Sequence, residues 1–160
     1  MRGPRIRNDR EECFLHCFNR AAGWKEDEFF DDVDKERLYR LALDLQKFYS
    51  IEIISFVCMS NHWHAVICTH PELPSREEVE RRFANFYGSS RIAPNWGDPE
   101  VVKKYGERMR DVSCFVKDLQ QRFTCWYNRT HQRRGRLWAD RYKNVVLEGN
   151  HALWECLKYV

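Results

Sequence analysis

The strongest constraint on this chain is a pair of strands near its middle. Residues 51–59, IEIISFVCM, are almost continuously apolar and rich in β-branched and aromatic side chains. So short and so apolar a run reads as a central strand buried on both faces. Ser60 and Asn61 supply a tight turn, and residues 62–69, HWHAVICT, return as the paired strand.

Around this hairpin the remaining elements fall into order. Residues 13–20, CFLHCFNR, have the character of a first strand. From Asp34 onward, Leu38, Leu41, Leu45 and Phe48 recur at helical spacing, with Arg37, Arg40, Asp44 and Lys47 facing out. A second helical stripe, Val112, Phe115, Val116, Leu119, Phe123, Trp126 and Tyr127, ends near Asn128. Residues 137–147 read as a strand, and Asn150 is a suitable N-cap for a last helix, HALWECLKYV. The order strand, helix, strand, strand, helix, strand is that of an α+β, ferredoxin-like βαββαβ sandwich with a central antiparallel sheet, followed by an extra C-terminal helix.

Residues 71–110 differ from the rest. Four of the five prolines lie there, charge of both signs is dense, and two short helices are expected at residues 77–86 and 99–109. With few large apolar groups, this stretch reads as a helical insertion packed beside the core. Residues 1–160 are therefore expected to form one domain.

Composition narrows the class. An apolar share of 43% and a charged share of 32% exclude disordered, collagen-like and coiled-coil chains, and no run is long enough for a membrane span. The opening residues lack the apolar core of a secretory signal. The seven cysteines are odd in number and irregularly spaced, as expected for thiols in a reducing cytoplasm. The close pair Cys13 and Cys17 lacks the CxxC spacing of a zinc knuckle, so no structural zinc site is expected from it.

The net charge of +3 conceals an asymmetry. Residues 120–143 hold seven basic side chains against one acid, a net of +6 that leaves −3 for the rest. Separation of this kind suggests an anion-binding face, with nucleic acid the commonest large anion, although a solvated basic loop has the same composition. Arg2, Arg5, Arg7 and Arg10 form a second basic cluster, suited either to following a DNA hairpin or to a plain polar tail.

His62-Trp63-His64 carries the most chemistry. Alternation along a strand puts both imidazoles on one face and Trp63 on the other. Two nitrogens so held can bind a divalent cation, or they can be ordinary histidines beside a turn. The context, MSNHWHAVI, is that of the HUH signature. The chain resembles single-tyrosine HUH transposases, especially the REP-associated tyrosine transposases. Five segments in order carry the resemblance: FLHCFNRA, DDVDKERLYRLA, SFVCMSNHWHAVI, VKDLQQRFTCWYNRTHQRRGRLWADRYKNVVLEG and ALWECLKYV.

The resemblance implies that His62 and His64 are metal ligands and that Tyr159, in the final helix, is the nucleophile. The family's third ligand, an amide one turn after the tyrosine, would fall past Val160, so the chain reads as ending short of it. The implied reaction is single-stranded DNA cleavage and strand transfer through a covalent phosphotyrosine. Phenols titrate near pH 10 and only about one part in a thousand is ionised at neutrality, so activation by a cation is expected. Mg²⁺ or Mn²⁺ is the expected cofactor, because the reaction needs a hard, labile cation on phosphate oxygens.

Arg122, Arg129, Arg133, Arg134, Arg136, Arg141 and Lys143 would hold phosphates of hairpin-bearing single-stranded DNA, while Trp138 and Tyr142 either stack bases or fill the core. Tyr127 reads as core. His16 could approach the metal but reads better as a hydrogen-bonded core histidine; His70 and His131 read as loop residues and His151 as the first turn of a helix. A cytoplasmic, nucleoid-associated monomer or homodimer is expected. The rival readings are a domesticated protein that binds hairpins without cutting and an HUH replication initiator. Metal-dependent covalent capture of DNA separates the non-cutting binder from the enzymes.

Overall fold

The computed structural model describes residues 12–23 and 29–160. The basic cluster Arg2, Arg5, Arg7 and Arg10 lies outside the described residues.

Among the described residues, four strands, β1 (Cys13–Arg20), β2 (Ile51–Cys58), β3 (His62–Thr69) and β4 (Lys143–Leu147), form one antiparallel sheet in the order β2-β3-β1-β4. This is the strand order of the ferredoxin-like sandwich, and the fold class read from the sequence holds. Alternation in β1 and β3 divides the sheet into two faces. Cys13, Leu15, Cys17 and Ala21 with Trp63, Ala65 and Ile67 enter the core. His16, Phe18 and Arg20 with His62, His64 and Cys68 occupy the opposite face by the two-residue period.

Two helices cover the core face, α1 (Asp32–Gln46) and α4 (Val112–Thr130). Leu38, Leu41, Ala42 and Leu45 of α1 meet Phe115, Val116, Leu119 and Phe123 of α4 in one cluster with Trp63, which stacks on Phe56 at 5.8 Å. Helix α1 starts earlier than its apolar stripe. Asp31 caps it by accepting from the Asp34 amide at 2.8 Å, while Asp34 Oδ2 accepts from the Asp31 amide at 3.0 Å. The capping box, not the first apolar residue, fixes the boundary.

The segment at residues 71–110 contains α2 (Arg76–Tyr87) and α3 (Pro99–Arg110), with a short 3₁₀ turn at Gly88–Ser90. Phe83, Trp96 and Tyr105 pack mutually edge to face, and Val79, Phe83, Trp96 and Met109 join the main buried cluster. Arg82 donates to the carbonyls of Gln46 at 3.1 Å and Tyr49 at 2.9 Å, tying α2 to the α1–β2 connection.

Three sequence expectations need correction. Strand β2 lies at the sheet edge and is only half-buried; the central, fully buried strand is β3. Both are apolar enough for the centre, so pattern alone could not rank them. The strand expected at residues 137–147 is confined to Lys143–Leu147. Leu137 and Trp138 are buried, but Trp138 makes only an isolated bridge to Ala21 before the chain bends. Asn150 does not cap the last helix: α5 (Gly149–Tyr159) begins two residues earlier than that cap implies, after Glu148, with Gly149 at φ 80° turning the chain. His131 is the C-cap residue of α4, and its Nε2 lies 2.7 Å from the buried Asp34 carboxylate.

Candidate functional site

Helix α5 crosses the face opposite α1 and α4. Strand β4 runs from Lys143, opposite Phe18, to Leu147, opposite Phe14. The eleven residues of α5 then return over the same distance, since a helix of that length spans about 16 Å. Tyr159 consequently ends up over the middle of the sheet. Its ring stands edge-on to His64 at 5.4 Å and to His16 at 6.5 Å. Four side chains named from the sequence, His16, His62, His64 and Tyr159, therefore share one surface.

The histidines are held by hydrogen bonds within that surface. His62 Nδ1 lies 2.7 Å from Asn61 Oδ1, so it carries the proton and leaves Nε2 as the free donor atom. His16 Nε2 lies 2.8 Å from His64 Nδ1, one of the two carrying the shared proton. His16 is thus hydrogen-bonded as expected, but it is not the core histidine read from the sequence: it is only half-buried, and its partner is His64 on the open face. Burial, then His16 and His62, push the His64 imidazole down to about 4; burial also lowers His16, and burial with Arg20 lowers His62. All three are neutral at neutral pH, the state that coordinates a metal. Tyr159 is largely exposed, with its ring available to a large substrate.

Beside the histidines lies a cleft of about 480 Å³ lined by Phe18, Asn19, Arg20, Asn61, His62, His64, Ala139, Asp140 and Lys143. Asn19 is buried and shapes it. Its amide donates to the Asp140 carbonyl at 3.0 Å, holding the 138–141 bend against the end of β1. Arg20 faces His62 across the β1–β3 register. From the sequence, Asn19 and Asp140 have no role at the site and Asn61 has only a place in the β2–β3 turn. The Asn-Arg pair at the end of the first strand was the available signal for Asn19 and Arg20, but its role shows only once the bend folds back.

The donor set fits a catalytic cation. Two neutral imidazoles on one face border a cleft with room for phosphate and water, and catalytic sites keep such positions open. Among the described residues, no third histidine, cysteine or carboxylate closes on both imidazoles. The one grouping, among the described residues, of three such ligand atoms within 4.8 Å is Glu12, Cys68 and His70, at the other end of β3.

The basic side chains do not form one patch. Lys143 lines the cleft. Arg129, Arg134 and Arg141 are exposed around it in sequence. Arg136 donates to the Trp138 carbonyl at 2.6 Å and to the Ala139 carbonyl, so part of its capacity goes into the bend. Arg133 lies over the Phe29 and Tyr127 rings at 5.6 Å. Arg122 lies 5.0 Å over Phe86, in a groove between α1 and α2, across the helical layer from the histidines. Trp138 is packed against Phe30 and Phe123, and the Tyr142 hydroxyl sits 3.1 Å from Ser113 Oγ. Both fill the core, which removes them as base-stacking platforms. Tyr127 is also buried, its hydroxyl donating to the Phe29 carbonyl at 2.6 Å.

The four-stranded α+β sandwich is similar in fold to one solved tyrosine transposase. The solved structure of a REP-associated tyrosine transposase bound to a REP hairpin superposes with a TM-score of 0.60 at 11% identity, over 99% of this chain and 70% of that one. A Deinococcus radiodurans protein assigned as a transposase matches over 98% of this chain and 95% of its own at 12% identity, with a lower TM-score of 0.47. No protein-family model matches the chain, and no curated protein matches it in sequence.

Proposed function

We propose that the chain is a metal-dependent single-stranded DNA endonuclease and strand transferase that acts on hairpin-bearing DNA. The observation that carries this reading is the Tyr159 ring standing over His64, on the sheet face that also bears His62 and His16. The hairpin held by the transposase of the same fold supports the substrate class.

In this reading, Lys143 and Arg20 attract the backbone into the cleft, and exposed Arg129, Arg134 and Arg141 extend the positive field. Arg122, Arg133 and Arg136 contribute at longer range. His62 and His64 would hold Mg²⁺ or Mn²⁺, which supplies charge neutralisation at the scissile phosphate. Asn61 and His16 orient the two imidazoles from behind. The Tyr159 oxygen attacks phosphorus in line with the departing 3′ oxygen. The O–P bond forms as the P–O3′ bond breaks; the phenolic proton goes to solvent, and the departing 3′ oxygen takes a proton from solvent to leave as a hydroxyl. The phosphotyrosine conserves the bond energy, and a second 3′ hydroxyl can reverse the step onto a new strand. A cytoplasmic site of action at the bacterial nucleoid belongs to the same proposal; among the described residues no helix is long and apolar enough to cross a membrane.

The test is a denaturing gel of the protein with hairpin-bearing single-stranded DNA from its own genomic flank, with and without Mn²⁺. A slowed band that requires the metal, and that is lost with His62→Ala and His64→Ala, is the expected result. Tight binding with no adduct under any condition would instead identify a hairpin-binding protein that does not cut.

A further inference from the structure

Strand β3 carries a second pair of ligand-type side chains two residues apart. His62 and His64 stand at its start; Cys68 and His70 stand at and just past its end, on the same face by the two-residue period. The two pairs are separated by about 13 Å of extended backbone between residues 64 and 68, so one cation cannot serve both. At the far pair, two acids arrive from neighbouring strands. Glu12 immediately precedes β1, and Glu52 of β2 is the direct cross-strand partner of Cys68. Ligand atoms of Glu12, Cys68 and His70 all lie within 4.8 Å of one another. His70 Nδ1 is 3.2 Å from Glu12 Oε1, while its Nε2 is 3.3 Å from Glu52 Oε1.

We propose that Glu12, Cys68 and His70 form a zinc site separate from the histidine pair over which Tyr159 stands. The set is one thiolate, one imidazole and one carboxylate, the mixture that a borderline-soft, tetrahedral ion accepts and that Mg²⁺ or Mn²⁺ does not favour. Donors around tetrahedral zinc lie roughly 3.3–3.8 Å apart, and the Glu12–His70 contact, at 3.2 Å, is 0.1 Å short of that range. Glu52 would accept from the Nε2–H of His70, fixing the tautomer that turns Nδ1 to the metal. Water or a further ligand fills the fourth position. On binding, the Cys68 thiol gives its proton to solvent and the sulfur–zinc bond forms. The site joins the start of β1 to the end of β3, with Glu52 bracing it from β2, and so acts as a clip at the end of the sheet remote from Tyr159. Sequence spacing could not reveal it, because its donors lie at positions 12, 68 and 70 and include a single cysteine.

Cobalt(II) titration of the full chain under reducing conditions tests this, because a thiolate–cobalt charge-transfer band cannot come from the His62–His64 pair. The expected result is one equivalent giving that band, undiminished in His64→Ala, lost in Cys68→Ser, weakened in His70→Ala and Glu12→Gln, and bleached by Zn²⁺. Zinc at a hundredfold excess over its Kd should also raise the melting temperature by roughly 5–10 °C. Because Cys68 is buried, the exposed variants His70→Ala and Glu12→Gln decide the matter if Cys68→Ser fails to fold. Absence of the band in the wild-type chain, or its survival in both exposed variants, would overturn the site and leave His70 as a link between two carboxylates.

Discussion

Replacing His131 with alanine should destabilise the protein far more than its position after a helix suggests. The Asp34 carboxylate it faces is only 2% exposed and has two identified donors, His131 Nε2 at 2.7 Å and the Asp31 amide at 3.0 Å. Leaving a buried charged group short of one hydrogen-bond partner costs upward of about 3 kcal/mol. Here the amide remains, and His131 itself is 31% exposed, so water can enter the vacated volume and the cost falls to about 2–3 kcal/mol. The imidazole also packs on the Tyr127 ring at 4.1 Å, and an alanine methyl is too short to reach it. Urea unfolding followed by circular dichroism measures this: with a slope near 2 kcal/mol/M, the midpoint should drop by about 1–1.5 M. Combining His131→Ala with Asp34→Asn should give less than the sum of the single losses, by about 1–2 kcal/mol. A single-variant loss below about 0.5 kcal/mol, or strict additivity, would refute the idea that this pair ties the start of α1 to the end of α4.

Two further perturbations follow from the same packing. Tyr49 is fully buried and donates to Asp118 at 2.6 Å, while Arg108 donates to the same oxygen at 3.1 Å. Tyr49→Phe should therefore lower stability by only about 1–2 kcal/mol, because Asp118 keeps Arg108, and the same urea titration reads it. Lys143→Ala should flatten the salt dependence of hairpin binding by about one unit of slope, whereas Arg122→Ala, across the helical layer, should alter it less; equal effects would place the DNA path elsewhere.

Much of the fold is legible in the sequence because its signals are local. The bounds of β1 and β3 follow from alternation, and Tyr127 and Trp63 fall where period and burial predict. What escapes is set by tertiary contact. The edge position of β2 depends on which strand pairs with β1, and both hairpin strands are apolar enough for the centre. The partnership of His131 with Asp34 spans 97 residues, and no window-based pattern reaches so far. At the site, the strand period puts His62 and His64 on one face, and the resemblance to a known family supplies Tyr159. The contribution of Asn19 appears only when its amide meets the 138–141 bend, and that of His16 only when its ring nitrogen meets His64.

The proposed function stands or falls on whether Tyr159 makes the covalent bond to DNA. Its most direct test is mass spectrometry of the proteolysed adduct formed with a hairpin substrate and Mn²⁺. The predicted result is a nucleotide remnant on the C-terminal peptide at Tyr159, and no adduct from Tyr159→Phe. A remnant on any other residue, or an adduct that persists in Tyr159→Phe, would contradict it.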